Sequence, residues 1–514
     1  MVLSLEEKIG QMLVVGFEGL EPPAYLLDWL AEGRIGGVIL FARNVANPAQ
    51  IAELTLACHE TAARPIMIAI DQEGGVVARL RDHFTESPGA MALAAADSEE
   101  LAEEVSAVLG AEMRALGINW NLAPALDLTH NIHKPSVGVR SLGVDPQRAA
   151  RLGVAQVRGF EQAGVAATAK HFPGKANTPV DPHVSLPVIE GPLHDIWDVD
   201  LVPFRAVSDA GIAAIMITHV QFMALEPTYP STMSPRIIDG LLRGEMGFEG
   251  VVSTDCMEMK AVTNAYGAGE SAVLAALAGA STILFSHTRA SQEAAYDALI
   301  DAARSGRLPG DKIDFAVGKV QAMKDRFGMA GSRPALDVIQ HPDHLVITAR
   351  AARAGMVLLH DQQGNLPLTG SAALVEFASP LDTPALESGG QTGFAARMHE
   401  ALPGLQSVSL NPTQPSDEML AQAHALAADS GVLIVATRNA HLNPVQQAIA
   451  QELLSSARRS ILLALRNPYD AGVLDGAGTV LLTCGDSAPS LQAAVDALLG
   501  RYAPAGVLPV PLKM

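Results

Sequence analysis

The sequence predicts an α/β protein, a (β/α)8 barrel of the TIM type followed by a smaller α/β/α sandwich. Three observations carry that reading. Eight short apolar runs, rich in Val, Ile or Ala and ending on polar residues, recur through the first 330 residues. Segments of helical spacing separate them, and the pattern then breaks in a Gly- and Pro-containing stretch and starts again. With 514 residues, 49% apolar and 18% charged, and a mean hydropathy of +0.22, the chain can bury a large core and is too hydrophobic to be disordered.

The eight runs lie at 11–17, 36–44, 65–73, 118–128, 165–172, 213–219, 250–255 and 281–287. They are apolar on both faces, as parallel strands covered by helices must be. The fourth, INWNLAPALDL, contains a proline and makes the barrel irregular. A crossover helix is legible after Asp97, where Glu100 stands three residues on and Leu101, Val105, Val108 and Leu109 form one apolar face. The expected domains are a barrel at 1–330, a linker at 331–342 and the sandwich at 343–514, whose strands are read at 373–378, 407–410, 432–437, 461–465 and 479–483.

Composition excludes several functions. Lys plus Arg number 35 against 55 for Asp plus Glu, a net charge of −20 that argues against a nucleic-acid partner. Three scattered cysteines without a CxxC pair give neither a disulfide framework nor a structural zinc site, and no metal or cofactor is expected. No apolar run approaches the roughly 20 residues of a membrane span. Glu6, Glu7 and Lys8 ahead of a short apolar run do not make a secretory signal, so a cytoplasmic location is expected.

Barrel chemistry gathers where loops leave the carboxyl ends of the strands. Asp71, Lys170, His171, His219, Asp255 and His287 all fall at such ends and are expected to share one mouth. The loop KHFPGKANTPVDPH adds Asp181 and His183, spaced so that the carboxylate can fix the imidazole tautomer and raise its basicity. On the residues alone, a plain surface loop with incidental charges is the commoner explanation of an Asp and a His two apart. Asp255, at the end of an apolar strand, reads either as a reactive carboxylate or as a helix cap or ion-pair partner of Lys170. Asp71 and Arg79 flank the Gly74-Gly75 pair, which lets backbone approach a ligand; Arg140 alone reads as a solvated loop arginine, and His219 and His287 as hydrogen-bonded core histidines.

Taken together, DQEGG (71–75), GVRSLG (138–143), KHFPG with TxxDxH (170–183) and STDCMEM (253–259) resemble glycoside hydrolase family 3, in its β-N-acetylglucosaminidase branch. LRNPYD (465–470) and APAGVLPVPL (503–512) extend the likeness into the second domain. The resemblance implies Asp255 as nucleophile and His183, supported by Asp181, as acid/base of a retaining exo-acting hydrolase. It implies that Asp71, Arg79, Arg140, Lys170 and His171 hold the terminal sugar, with Lys170 and Arg140 also keeping Asp255 ionised. The implied partner is a small glycan carrying terminal β-linked N-acetylglucosamine, a peptidoglycan fragment or chitooligosaccharide; at 4% aromatic residues the chain has little material for a polysaccharide groove.

Two departures bear on preference. Lys175, Ala176 and Asn177 stand where the family loop usually continues with His and Gly, and Val76 stands where relatives often carry Arg. Other readings to be separated are a phosphorylase acting on the same glycosides, a β-glucosidase of the same family, a barrel metallohydrolase and a non-catalytic sugar-binding protein.

Overall fold

Alternation within the first apolar runs sorts their side chains between two layers. In the computed structural model, which describes residues 3–133, 137–175, 186–328, 333–378 and 393–513, Leu13 and Val15 pack outward among helices while Val14 joins a separate inner cluster. The same division holds for Val38 and Leu40 against Ile39, and for Ile215 and Ile217 against Met216. The strands are β1 (Leu13–Val15), β2 (Gly37–Leu40), β3 (Met67–Ile70), β4 (Trp120–Asn121), β5 (Ala166–Phe172), β6 (Ala214–Ile217), β7 (Val251–Cys256) and β8 (Thr282–Phe285). Each pairs in parallel with its neighbour in sequence, and β8 pairs with β1 to close the barrel.

The interior is filled rather than hollow. Trp120 is fully buried and donates its indole N–H to Thr168 Oγ1 at 2.6 Å; Met323 and Phe327, from the helix Gly310–Phe327, belong to the same inner cluster. The proline-containing run is the shortest strand. Pro124 has no N–H for a ladder, so regular pairing stops after Asn121, and contact with β5 resumes as an isolated bridge from Ala125 to Lys170. The helix expected after Asp97 starts one residue later than read: Asp97, at φ +46°, closes the helix Ala90–Ala96, and Ser98 caps Glu99–Ala115 by accepting from Leu101 N at 3.2 Å. Leu101, Val105, Val108 and Leu109 form its buried face.

The second sheet has six strands: β9 (Val357–Asp361), β10 (Ala372–Phe377), β11 (Gln406–Leu410), β12 (Val432–Thr437), β13 (Ser460–Ala464) and β14 (Thr479–Leu482). Their order is β9-β14-β13-β12-β10-β11, parallel except where β9 joins β14. The sequence reading passed over β9, an edge strand only partly buried, whose short apolar stretch follows the helix Pro342–Ala354 too closely to stand apart. Val375, Phe377, Val435 and Leu462 pack on one face with the helices Asp417–Asp429 and Pro444–Ser456. Leu374, Ile434 and Leu463 pack on the other with Phe394–Ala401 and Ala488–Leu498, completing three layers. Among the described residues, no helix is long and apolar enough to cross a membrane.

The two units share apolar and polar contacts. Val76, Val77 and Val139, from loops at the barrel mouth, sit in one cluster with Phe377, Tyr469 and Val510. Away from the mouth, buried Glu112 accepts from Thr85 N at 3.0 Å, Thr85 Oγ1 at 2.6 Å, Gln340 N at 2.9 Å and His344 Nδ1 at 3.0 Å, so one carboxylate joins a barrel helix, a barrel loop and the entry to the second unit. Replacing it strands buried donors, at a cost of about 1–3 kcal/mol for each. Glu112→Ala is expected to lower the melting temperature by about 2 °C or more. A thermal melt within 1 °C of the parent, taken as roughly the scatter of a single-site neutral change, contradicts this role.

Candidate active site

The mouth of the barrel opens into a cavity of about 470 Å³ lined by Asp71, Glu73, Arg79, Arg140, Lys170, His171, Lys175, Asp255, Glu258 and His287, with Phe41 on its wall. Three segments build its floor. The first follows β3, where Gly74 and Gly75 take φ of +90° and +60°, a turn that side-chain-bearing residues rarely adopt. Gln72 locks that turn, its Oε1 accepting from Arg79 N and Leu80 N and its Nε2 donating to Leu80 O. Glu73 and Arg79 are thereby delivered to the cavity.

The second segment is the end of β5. Its ladder with β6 shifts register between Ala169 and Phe172, and Lys170 and His171, consecutive residues joined by a cis peptide, both line the cavity. Lys170 Nζ lies 2.5 Å from Asp71 Oδ1 and 2.7 Å from Glu73 Oε1. Arg140, on the loop after β4, grips Glu73 with two bonds of 2.7 and 2.9 Å, and Arg79 lies 3.7 Å from Asp71. Burial alone would raise the Glu73 carboxyl, but Arg140 and Lys170 hold it far below the usual carboxylate range. Burial likewise opposes the Lys170 charge, which Asp71 and Glu73 more than restore.

His171 belongs to a second chain of contacts. Lys175 Nζ donates to His171 Nε2 at 3.0 Å, so the ring proton is on Nδ1, which donates to Asp127 Oδ2 at 2.6 Å. Burial first and the Lys175 charge second push the imidazole down to about 4, so it is neutral at pH 7. Burial would raise Asp127, but His171, Lys175 and Arg140 bring it down to about 2. His171 Nε2 lies 3.9 Å from Asp255 Oδ2. Because that nitrogen accepts from Lys175, it does not donate to the Asp255 carboxylate.

Asp255, the third element, stands at the end of β7 with its side chain 20% exposed, and its Oδ1 accepts from Cys256 N at 2.8 Å. It does not cap a helix, since the next one starts at Lys260 with Met259 in the cap position. Nor is Lys170 its ion-pair partner: that ammonium goes to Asp71 and Glu73, and the bidentate grip of Arg140 goes to Glu73. His219 does not line the cavity. It is fully buried, with Nε2 donating to the Cys256 carbonyl at 2.9 Å and Nδ1 meeting Thr232 Oγ1 at 2.7 Å. Cys256 borders the cavity, and the packing around its sulfur pushes the thiol up to about 11.

The structure thus brings Asp71, Arg79, Arg140, Lys170, His171 and Asp255 together. Asp181 and His183, with Ala176 and Asn177, lie outside the described residues. Sequence reasoning missed Glu73, although it stands two residues after Asp71, and Asp127, the next-to-last residue of the fourth apolar run. Lys175 was legible only as a departure. Val76 is buried against the second unit, which accounts for an apolar residue there.

Comparison with known proteins is consistent across three kinds of match. The family profile described as Glycosyl hydrolase family 3 N terminal domain matches residues 4–323. "Beta-hexosaminidase A" of Pseudoalteromonas piscicida is 30% identical, covering 91% of this chain and 88% of that protein. "Beta-hexosaminidase" of Xylella fastidiosa (strain 9a5c) is 37% identical, covering 62% of this chain and 99% of its own length. A solved structure of a glycoside hydrolase family 3 beta-N-acetylglucosaminidase from Paenibacillus sp. str. FPU-7 superposes with a TM-score of 0.93 at 37% identity, covering 99% of both chains.

The Lys175 contact gives a direct test of the local electrostatics. In Lys175→Met the repulsion between ammonium and imidazolium is gone while Asp127 and Asp255 remain, so His171 takes up its proton at higher pH. Its ring-nitrogen chemical shift, followed by NMR, is expected to titrate about one pH unit or more above the parent. Titration at the parental pH refutes the assigned role.

Proposed function

The chain belongs to glycoside hydrolase family 3, and we propose that it is a retaining exo-β-N-acetylglucosaminidase in which Asp255 is the nucleophile and His183, assisted by Asp181, is the acid/base. The observation that carries the reading is the position of Asp255. Its carboxylate borders a cavity whose other walls are an ordered set of charged donors and acceptors suited to sugar hydroxyls.

In the first step an Asp255 oxygen attacks the anomeric carbon, the bond to the leaving oxygen breaks, and the His183 imidazolium gives that oxygen its proton. Asp181 stabilises the charged ring and fixes its tautomer. In the second step neutral His183 takes a proton from water, the water oxygen attacks the same carbon, and the Asp255 carboxylate leaves. Asp71 accepts from hydroxyls, while Lys170, Arg140 and Arg79 have their donors fixed before substrate arrives, so little reorganisation accompanies charge development in the oxocarbenium-like transition state. The neutral state of His171 also serves the reaction: with Nε2 accepting from Lys175, this ring does not protonate the nucleophile beside it.

The substrate class that fits is a short glycan ending in β-linked N-acetylglucosamine, from peptidoglycan or chitin. The Paenibacillus neighbour, described as a beta-N-acetylglucosaminidase, supports the sugar, and the single walled cavity supports exo action on one terminal residue. Among the described residues, no group of three His, Cys, Asp or Glu side chains is arranged to hold a metal ion.

An aryl β-N-acetylglucosaminide is expected to be cleaved faster than the matching glucoside, and Asp255→Ala is expected to lower kcat by about 10³-fold or more. A 2-acetamido-5-fluoro glycosyl fluoride is expected to label Asp255, as read by peptide mapping. Preference for the glucoside refutes the sugar assignment, and a label on any other residue refutes the nucleophile. Running the same assay in millimolar phosphate and measuring sugar 1-phosphate against free sugar separates hydrolysis, the expected outcome, from phosphorolysis.

A further inference from the structure

We propose that the second domain completes the sugar-binding cluster by seating the loop that carries Arg140, with Asn467 and Tyr469 as its positioning residues. The proposal builds on the assignment of Arg140 to sugar binding. That residue sits on a long connection from β4 to the helix Pro146–Gln162, whose only regular element among the described residues is the short 3-10 turn Gly138–Arg140. Such a connection has many conformations of its own, so something must select the one that points Arg140 at Glu73.

The barrel anchors the start of the connection through Asp127, which takes bonds from His171 and Lys175, and holds Arg140 through its pair with Glu73. The second domain anchors its later part. Tyr469 Oη lies 3.2 Å from Thr129 Oγ1, and Thr129 N donates to Gly143 O at 3.1 Å, so the two ends of the loop are tied together and the tie rests on Tyr469. Val144 N donates to Pro509 O at 3.3 Å. Two residues before Arg140, Gly138 lies directly against the Asn467 side chain: a methyl group there would come within 2.8 Å of Oδ1, and φ is +41°. Asn467 is held in place by donating to Asn439 Oδ1 at 2.7 Å. Val139, between Gly138 and Arg140, is buried in the apolar cluster that contains Tyr469 and Val510.

Among the described residues, none from the second domain lines the cavity, and the contacts above reach it through this loop. Asn467 and Tyr469 belong to LRNPYD, and Pro509 and Val510 to APAGVLPVPL, the two motifs of the second domain that the chemistry leaves unassigned. Positioning of this kind changes how well the sugar is held in ground and transition states alike, which raises KM and leaves kcat nearly unchanged.

The test uses the full chain with Asn467→Ala and Tyr469→Phe, each alone and combined with Arg140→Lys. Crystal structures of the single variants are expected to show the Arg140 guanidinium displaced from its two-bond grip on Glu73; a grip unchanged in both variants overturns the proposal whatever the activity. With an aryl β-N-acetylglucosaminide, KM is expected to rise by about five- to tenfold with kcat within about twofold. In the Arg140→Lys background the same substitutions are expected to change KM less than about twofold, because their effect runs through Arg140. Equal KM ratios in both backgrounds, or a lowered melting temperature with unchanged KM, reduce the two residues to simple docking contacts and overturn the proposal. A parent inactive on this substrate counts against the sugar assignment, while the crystallographic comparison still decides the present one.

Discussion

Everything at the barrel mouth is arranged around a buried carboxylate, Glu73, that cannot be left alone. Removed from water, it is tolerable only because Lys170 and Arg140 both lie 2.7 Å away, and Lys170 in turn needs Asp71. The group joins the loop after β3, the loop after β4 and the end of β5, so three parts of the chain must arrive together for any of them to be satisfied. Such clusters contribute little net stability, since desolvation offsets attraction, yet removing one member costs about 3–5 kcal/mol because its partner is left uncompensated. What the arrangement supplies is a set of donors and acceptors held in fixed orientation at the cavity.

The neighbouring chain Asp127–His171–Lys175 solves a different problem. A histidine beside the Asp255 carboxylate would, if protonated, neutralise its charge. Here burial and an adjacent ammonium both oppose protonation, and donation from Lys175 occupies the nitrogen nearest Asp255. The lysine that looked like an interruption of a familiar loop has a defined electrostatic task.

Much of this was legible in one dimension. Short runs apolar on both faces with polar ends were enough to count eight barrel strands and to place Asp71, Lys170, His171 and Asp255 at a common mouth, because strand direction and loop position follow from the fold alone. Pairing was not legible. Lys170 had Asp255 as an apparent partner, but Glu73 is nearer in space for reasons set by the Gln72-braced turn, and nothing local to residue 170 reports that turn. Asp127 was hidden by the broken ladder at Pro124, and Ser98 rather than Asp97 capped its helix because Asp97 was already engaged in closing the preceding one. Local periodicity survives translation into structure; contacts between distant loops have no local signature.

The thiol of Cys256 shows what such a surrounding does to a bystander. It borders the same cavity next to the Asp255 carboxylate, and sulfur is intrinsically a good attacking atom, but it holds its proton until about pH 11. An electrophile that reaches this cavity at neutral pH therefore meets a protonated thiol there, and alkylation of this sulfur is disfavoured. The reactivity of this side chain is settled by the medium around it before any reagent enters.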